Sequence, residues 1–320
     1  MESIRHSFLA MGTPIGVNLA VADERRDEAE AAIAVIERKL GVFGRDGWAW
    51  GDGALAQFNR RLLRGEAARI PAEMQDLFRR AWEIRERSAG RYDPRIAELV
   101  RLWGFDRLEH LRSAPPEGDE IALCLAALRD APPYDGGDYY GPAPGVAWDL
   151  GGIGKGHIVD VALEDLRQAG FTNTLIDAGG SVAARGHRGD RAWRVGIRDP
   201  RGEGSTLLAT IDLDNEAVIT HGDDQRWFEH AGRRYAHLLD PATGWPAQGL
   251  RSLTVVHADG ARADAEGAAL FVAGAEWPAL AARFGLDQVF AIAEDGSIRI
   301  TARLAGRVGM LSRAPVEVLG

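Results

Sequence analysis

The chain of 320 residues has a single cysteine, Cys124, which excludes an internal disulfide and any Cys-based zinc or iron–sulfur site. It has no uninterrupted apolar run near the ~18 residues that a spanning helix needs. Its start, Met-Glu-Ser-Ile-Arg-His, lacks the basic leader and apolar stretch of a secretory signal, so the expected location is the cytoplasm. Positive charge is in deficit. Lys and Arg total 38 against 47 Asp and Glu, a net charge of −9. That argues against nucleic acid as a partner, because phosphate neutralisation needs a basic face. Internal repeats and low-complexity tracts are also missing. What is present is ordinary globular composition, 46 % apolar and 27 % charged. The length suits one large domain or two of the typical ~150 residues.

Gly is abundant at 39 residues and Pro adds 14, which predicts many tight turns. Alternation predicts a strand over Ile15–Ala20. Asp23 then caps a helix whose apolar residues Ala29, Ile33, Ile36 and Leu40 recur at three- and four-residue steps. Gly41–Gly53 reads as loop. A second amphipathic helix spans Ala72–Arg87 and ends at Gly90, and Asp93-Pro94 opens a short helix through Leu99 to Trp103. Residues 112–146, rich in Pro, Gly and Asp around a helix at Asp119–Leu128, read as a surface connection. They mark a subdomain boundary within a chain otherwise expected to be one domain over 1–320. A helix at His157–Ala169 follows the Gly-rich Trp148–Lys155. Strands are expected at Thr174–Ile176, Trp193–Ile197, Thr206–Leu213, Ala217–Thr220 and Leu253–His257. Helices follow at Asp264–Val272 and Trp277–Arg283, then a hairpin of Val289–Ala293 with Ile298–Thr301. A helix-rich first half and strand-rich second half give an α+β chain.

Four segments carry chemistry. Asp149-Leu-Gly-Gly-Ile-Gly-Lys-Gly156 before a helix offers backbone N–H groups and Lys155 to an anion, or is a tight turn before a helix. Asp177-Ala-Gly-Gly-Ser181 follows a strand, where glycines mean close approach to a ligand or a hairpin turn. His237, in an alternating stretch ahead of a Pro/Gly turn, has the chemistry of a general base. Asp264 at a helix start suits a hard cation through oxygen, or is an N-cap.

The order and identity of these segments resemble the FAD:protein FMN transferase family, the ApbE-like flavin transferases. The resemblance runs from about Phe8 to Thr301. It is carried by Met11-Gly-Thr13 and Asn59, by Gly90-Arg-Tyr-Asp-Pro94 with Leu102-Trp-Gly-Phe105, and by Asp149–Gly156 with Asp160. Asp177–Gly180, Thr220–Asp223, His237–Pro246 and Ala263-Asp264…Ala269-Leu-Phe-Val272 complete it.

The resemblance implies an ApbE-like (T-fold-like) architecture of mixed, largely antiparallel sheets with packed helices. It implies an Mg²⁺-dependent transferase that moves FMN from FAD to a Thr or Ser hydroxyl of an acceptor protein and releases AMP. Met11, Arg91, Tyr92, Asp93, Asp149, Lys155, Gly179, Gly180, Thr220 and Ala247 would line the FAD site. Mg²⁺ would sit on the carbonyl of Gly152, on Asp264 and on a Thr hydroxyl four residues later, where this chain has Ala268. A water or Glu266 would fill that gap. His221 stands where the family has Ser. The alternatives are hydrolysis of FAD to FMN and AMP, or a non-enzymatic FAD-binding protein that has lost a metal ligand.

Overall fold

The computed structural model describes residues 2–202 and 206–320. Its frame is a nine-stranded sheet. The order is Glu2–Ala10, Thr13–Val21, Thr174–Ala178, Ser181–Arg185, Ala217–Gly222, Leu250–His257, Val289–Ala293, Ile298–Thr301 and Val316–Leu319. Neighbours are antiparallel except the last pair, so the α+β expectation with largely antiparallel sheets holds. Side-chain alternation gives each strand two faces. On Ala217–Gly222, Ala217 and Ile219 enter one core while Val218 enters another.

Helices Arg26–Asp46, Gln75–Arg87, Gly151–Gln168 and Gly260–Val272 contribute to the core on the first face. On the second lies a smaller antiparallel sheet of His187–Arg188, Arg191–Arg198, Leu207–Leu213 and Val308–Met310. Its Trp193, Ile197 and Ile211 pack against Val218, Val256 and Phe290. The periodic Ala29, Ile33, Ile36 and Leu40 are all buried. Each of the larger three stabilises the fold by about 1.5–3 kcal/mol, and truncating Ile36 to Ala would cost about 2–5 kcal/mol.

Several local expectations change. Asp264 is neither at a helix start nor an N-cap: its helix begins four residues earlier at Gly260 and is capped by Asp259, which accepts the N–H of Arg262. Asp23 does not cap the first long helix but lies inside a short 3-10 turn, Asp23–Arg25, ahead of it. The first long helix runs through Gly41 to Asp46 instead of giving way to loop. Gly44 is there for close approach, since a Cβ would stand 3.0 Å from the backbone N of Met11. The helix expected from His157 begins at Gly151, so the glycine stretch is helical. The residues expected as a surface connection pack inward, Ile121 into one apolar cluster and Tyr134 and Tyr140 into another. The edge strand Glu2–Ala10 and the helix Ala54–Leu63 lay outside the expectations.

Candidate functional site

The site is built where helices Gly151–Gln168 and Gly260–Val272 cross. A Cβ on Gly156 would lie 2.1 Å from the carbonyl oxygen of Gly260, so only glycine permits this approach. The helices are then stitched both ways. Asp160 accepts the N–H of Gly260 at 2.7 Å and of Ala261 at 3.2 Å, capping the second helix. Asp264, 1 % exposed, accepts the N–H of Gly156 at 3.0 Å. In a regular helix that N–H points at the Gly152 carbonyl. Asp264 and the Gly152 carbonyl therefore converge on one donor, which places two oxygen ligands for a hard cation side by side.

Around this crossing lie Tyr92, Asp149, Lys155, His221 and His237. A Cβ on Gly152 would stand 3.1 Å from the Tyr92 ring, so the glycine makes room for the tyrosine. The N–H of Asp149 donates to the Pro94 carbonyl at 2.7 Å, tying the two segments together. Asp149 Oδ1 accepts the N–H of Gly151, the first residue of the helix, at 2.8 Å. Burial, then the charges of Asp149, Asp264 and Asp93, push the Tyr92 phenol well above its ordinary range. Burial raises Asp149, opposed by the Gly151 N–H, Lys155 and Arg226. Burial lowers His221, with Asp264 acting to raise it and Lys155 to lower it. His237 falls to about 3 through burial and the neighbouring Lys155, Arg226 and His221, so it is a neutral imidazole at pH 7.

Polar atoms buried without a partner collect here. The Tyr92 hydroxyl, His221 Nε2 and His237 Nδ1 have none. Each such group costs about 1–3 kcal/mol, and a cluster of them marks a place that a ligand completes.

Two glycine turns meet at the same end of the sheet. Met11 and Gly12 have φ of 53° and 70°, and Gly179 and Gly180 have 64° and 96°. A Cβ on Gly179 would lie 2.1 Å from Thr13 Oγ1. The hairpin-turn reading of Gly179-Gly180 is thus correct, and it brings the turn onto Met11–Thr13. An aromatic cluster of Trp103, Phe105, Phe228, Tyr235 and Trp245 supports the hairpin Trp227–His230/Arg233–Ala236 ahead of His237. Trp103 Nε1 donates to the Gly244 carbonyl at 2.8 Å, pinning the Pro/Gly turn.

Other expected residues stand apart. Thr220 donates its N–H to Gly180 O at 3.2 Å, but its hydroxyl pairs with Thr254 on the sheet face opposite His221. Arg91 pairs with Glu276. Asp93 gives both oxygens to Arg85 and Arg95 and so braces its turn from behind. The N–H of Ala247 donates to Leu238 O at 2.8 Å, beside His237. Ala268 lies one helical turn beyond Asp264 and is buried. Glu266 cannot replace the missing hydroxyl, because Arg87 at 2.7 Å and Arg262 at 3.0 Å hold its carboxylate. Among the described residues no group of three or more His, Cys, Asp or Glu could hold a metal, so a cation here depends on Asp264 and backbone oxygen. Arg226, which nothing in the sequence marked, joins the cluster through its charge on Asp149 and His237.

A cavity of about 390 Å³ lies near the Asn59–Trp148 pair, lined by Trp50, Asn59, Asp106, Arg107 and others; none of the cluster residues lines it. No helix among the described residues is long and apolar enough to cross a membrane.

The profile described as the ApbE family matches residues 11–290. A FAD:protein FMN transferase of Rhodobacter capsulatus is 33 % identical across 99 % of this chain, which spans 61 % of that relative's length. One from Treponema pallidum is 32 % identical, covering 81 % of this chain and 76 % of that protein. The crystal structure of an ApbE protein from Thermotoga maritima superposes with a TM-score of 0.86 at 28 % identity, covering 96 % of this chain and 99 % of the other. The Pseudomonas stutzeri flavinyl transferase ApbE gives 0.79 at 26 % identity, covering 93 % of each. With the profile spanning most of its length and the same fold in the solved relatives, the chain belongs to the ApbE family.

Proposed function

We propose that this chain transfers FMN from FAD to a Thr or Ser hydroxyl of an acceptor protein and releases AMP. The observation that carries the reading is the convergence of unpaired Tyr92, His221 and His237 atoms on a crossing that also holds Asp149, Lys155 and Asp264. Relatives named FAD:protein FMN transferase support the identity of the substrate. In this reading Met11, Tyr92, Asp149, Lys155, Gly179, Gly180 and Ala247 face FAD, while Arg91 and Asp93 shape the wall behind Tyr92.

The acceptor hydroxyl oxygen attacks the phosphorus on the FMN side of the pyrophosphate. The bond from that phosphorus to the bridging oxygen breaks, and AMP leaves with the bridging oxygen. His237, neutral at pH 7, takes the hydroxyl proton; the phosphates bound against Lys155 and Arg226 offset the charges that hold its proton affinity down. Lys155 offsets charge on the phosphates. Mg²⁺ would be held by the Asp264 carboxylate and the Gly152 carbonyl, and would supply charge stabilisation at the phosphoryl oxygens.

A second reading, a flavin binder without transfer, is favoured by one feature: Ala268 puts a methyl where the family resemblance expects a Thr ligand. Incubation with FAD and Mg²⁺, with and without a Thr-bearing acceptor peptide, separates the cases. Transfer gives AMP only with the peptide. Free FMN and AMP without peptide mean hydrolysis. Bound FAD with no AMP in either tube supports the binding-only reading and overturns ours.

A further inference from the structure

 Many Arg and Lys side chains of this protein pair with carboxylates, but among the described residues Lys155 donates only to the Gly151 carbonyl, at 3.4 Å. Arg226 is likewise without a carboxylate partner among the described residues. Its Nη1 donates to the Phe105 carbonyl at 3.0 Å, and its own carbonyl accepts the N–H of His237 at 3.0 Å. Its Nη2 reaches toward the Met11-Gly12 turn, 4.0 Å from where a Cβ on Gly12 would stand. One guanidinium edge is thus anchored and the other is directed at the rim of the site. Among the described residues neither cation has a carboxylate within ion-pair distance, yet both act through charge on Asp149 and His237, which marks a place for a polyanion.

We propose that Arg226 is the second anion-binding cation of this site and holds a phosphate of the ligand together with Lys155. The identity of that ligand as FAD rests on the transferase reading; the anion-binding role does not. A ligand carrying a pyrophosphate meets both cations, whereas the flavin ring alone meets neither. Arg226 is in this sense a specificity residue for the phosphorylated form. The remaining guanidinium donors are free to make charge-assisted bonds, each worth about 10- to 100-fold in affinity.

Calorimetric titration of the full chain with FAD, riboflavin and inorganic pyrophosphate tests this in the parent, Arg226→Gln and Arg226→Lys. Arg226→Gln should weaken FAD and pyrophosphate by about 10- to 100-fold and leave riboflavin unchanged. Arg226→Lys should recover part of the loss, because it keeps the charge without the planar fork. Pyrophosphate binding that depends on Arg226 in a protein that takes no FAD would uphold the anion site and overturn the flavin reading. Equal loss of FAD and riboflavin in a folded Arg226→Gln variant would make Arg226 a brace for the hairpin and overturn the proposal. Should Arg226→Gln fail to fold, mapping of phenylglyoxal modification in the parent decides: pyrophosphate should protect Arg226, and absence of protection overturns the proposal.

Discussion

Replacing Gly156 with Ala should separate the two helices that build the site. The added Cβ would lie 2.1 Å from the Gly260 carbonyl oxygen, 2.5 Å from its carbon and 2.9 Å from the Ala261 nitrogen. All three are backbone, so no side-chain rotation relieves the clash, and the helices must part by roughly an ångström or more. Overpacking of this kind costs about 1–3 kcal/mol. Parting the helices also pulls Asp264 off the Gly156 N–H and Asp160 off the Gly260 and Ala261 N–H groups. A hydrogen bond to a charged group contributes about 1.5–3 kcal/mol. With even one of these bonds lost the total is about 2.5–6 kcal/mol, a large share of the ~5–15 kcal/mol that holds a typical domain together. Gly154→Ala is the internal control. Its Cβ would meet only the Phe43 ring at 3.4 Å, an ordinary contact, and alanine favours a helix interior by about 0.8–1 kcal/mol over glycine. Urea unfolding followed by tryptophan fluorescence should show a much lower midpoint for Gly156→Ala and little change or a gain for Gly154→Ala. Equal midpoints for the two variants would refute the crossing as the element that positions Asp264.

Further outcomes follow from the same geometry. Lys155→Ala should weaken FAD more than riboflavin in a direct titration, since only FAD carries the pyrophosphate. His237→Gln should cut transfer by about 10²–10⁴ while FAD titrates as in the parent. Because His237 is held down to about 3, the unfolded chain binds more protons than the folded one between that value and the ordinary ~6.5. Its contribution therefore destabilises the fold as pH falls through that window, and His237→Gln should flatten the acid limb of a stability–pH profile relative to the parent. Ala268→Thr should lower the Mg²⁺ concentration for half-maximal turnover, as a hydroxyl one turn from Asp264 adds a neutral oxygen; an unchanged Mg²⁺ dependence would mean that position 268 does not face the cation.

Much of the frame was legible because local pattern and tertiary environment agree. The spacing of Ala29, Ile33, Ile36 and Leu40 marks the buried stripe of Arg26–Asp46, and the terminal hairpin of Val289–Ala293 with Ile298–Thr301 pairs as expected. Glycine misled where it serves packing. Gly44, Gly152 and Gly156 break helix propensity, yet each lies in a helix because a neighbour occupies the space a side chain would take: Met11, Tyr92 and Gly260 respectively. The strand Glu2–Ala10 was hidden because it is an edge, with Ile4 and Ala10 its buried apolar residues and little alternation to read. In the site, Asp149, Lys155, His237 and Asp264 were readable as short motifs. Arg226 was not, since its meaning comes from the Phe105 carbonyl and the Met11-Gly12 turn, 121 and more than 200 positions away in the chain. Thr220 and His221 face opposite ways, because strand alternation sends the Thr220 hydroxyl to the far face and His221 to the near one.

The central claim is that this arrangement moves FMN onto a protein hydroxyl. Its most direct test is tandem mass spectrometry of a Thr-bearing acceptor peptide after incubation with the chain, FAD and Mg²⁺, beside the same reaction with Asp264→Asn. The account predicts an FMN phosphoester on the Thr with AMP released in equal amount, and loss of both with the variant. An unmodified peptide in the presence of FAD-saturated parent protein would contradict it.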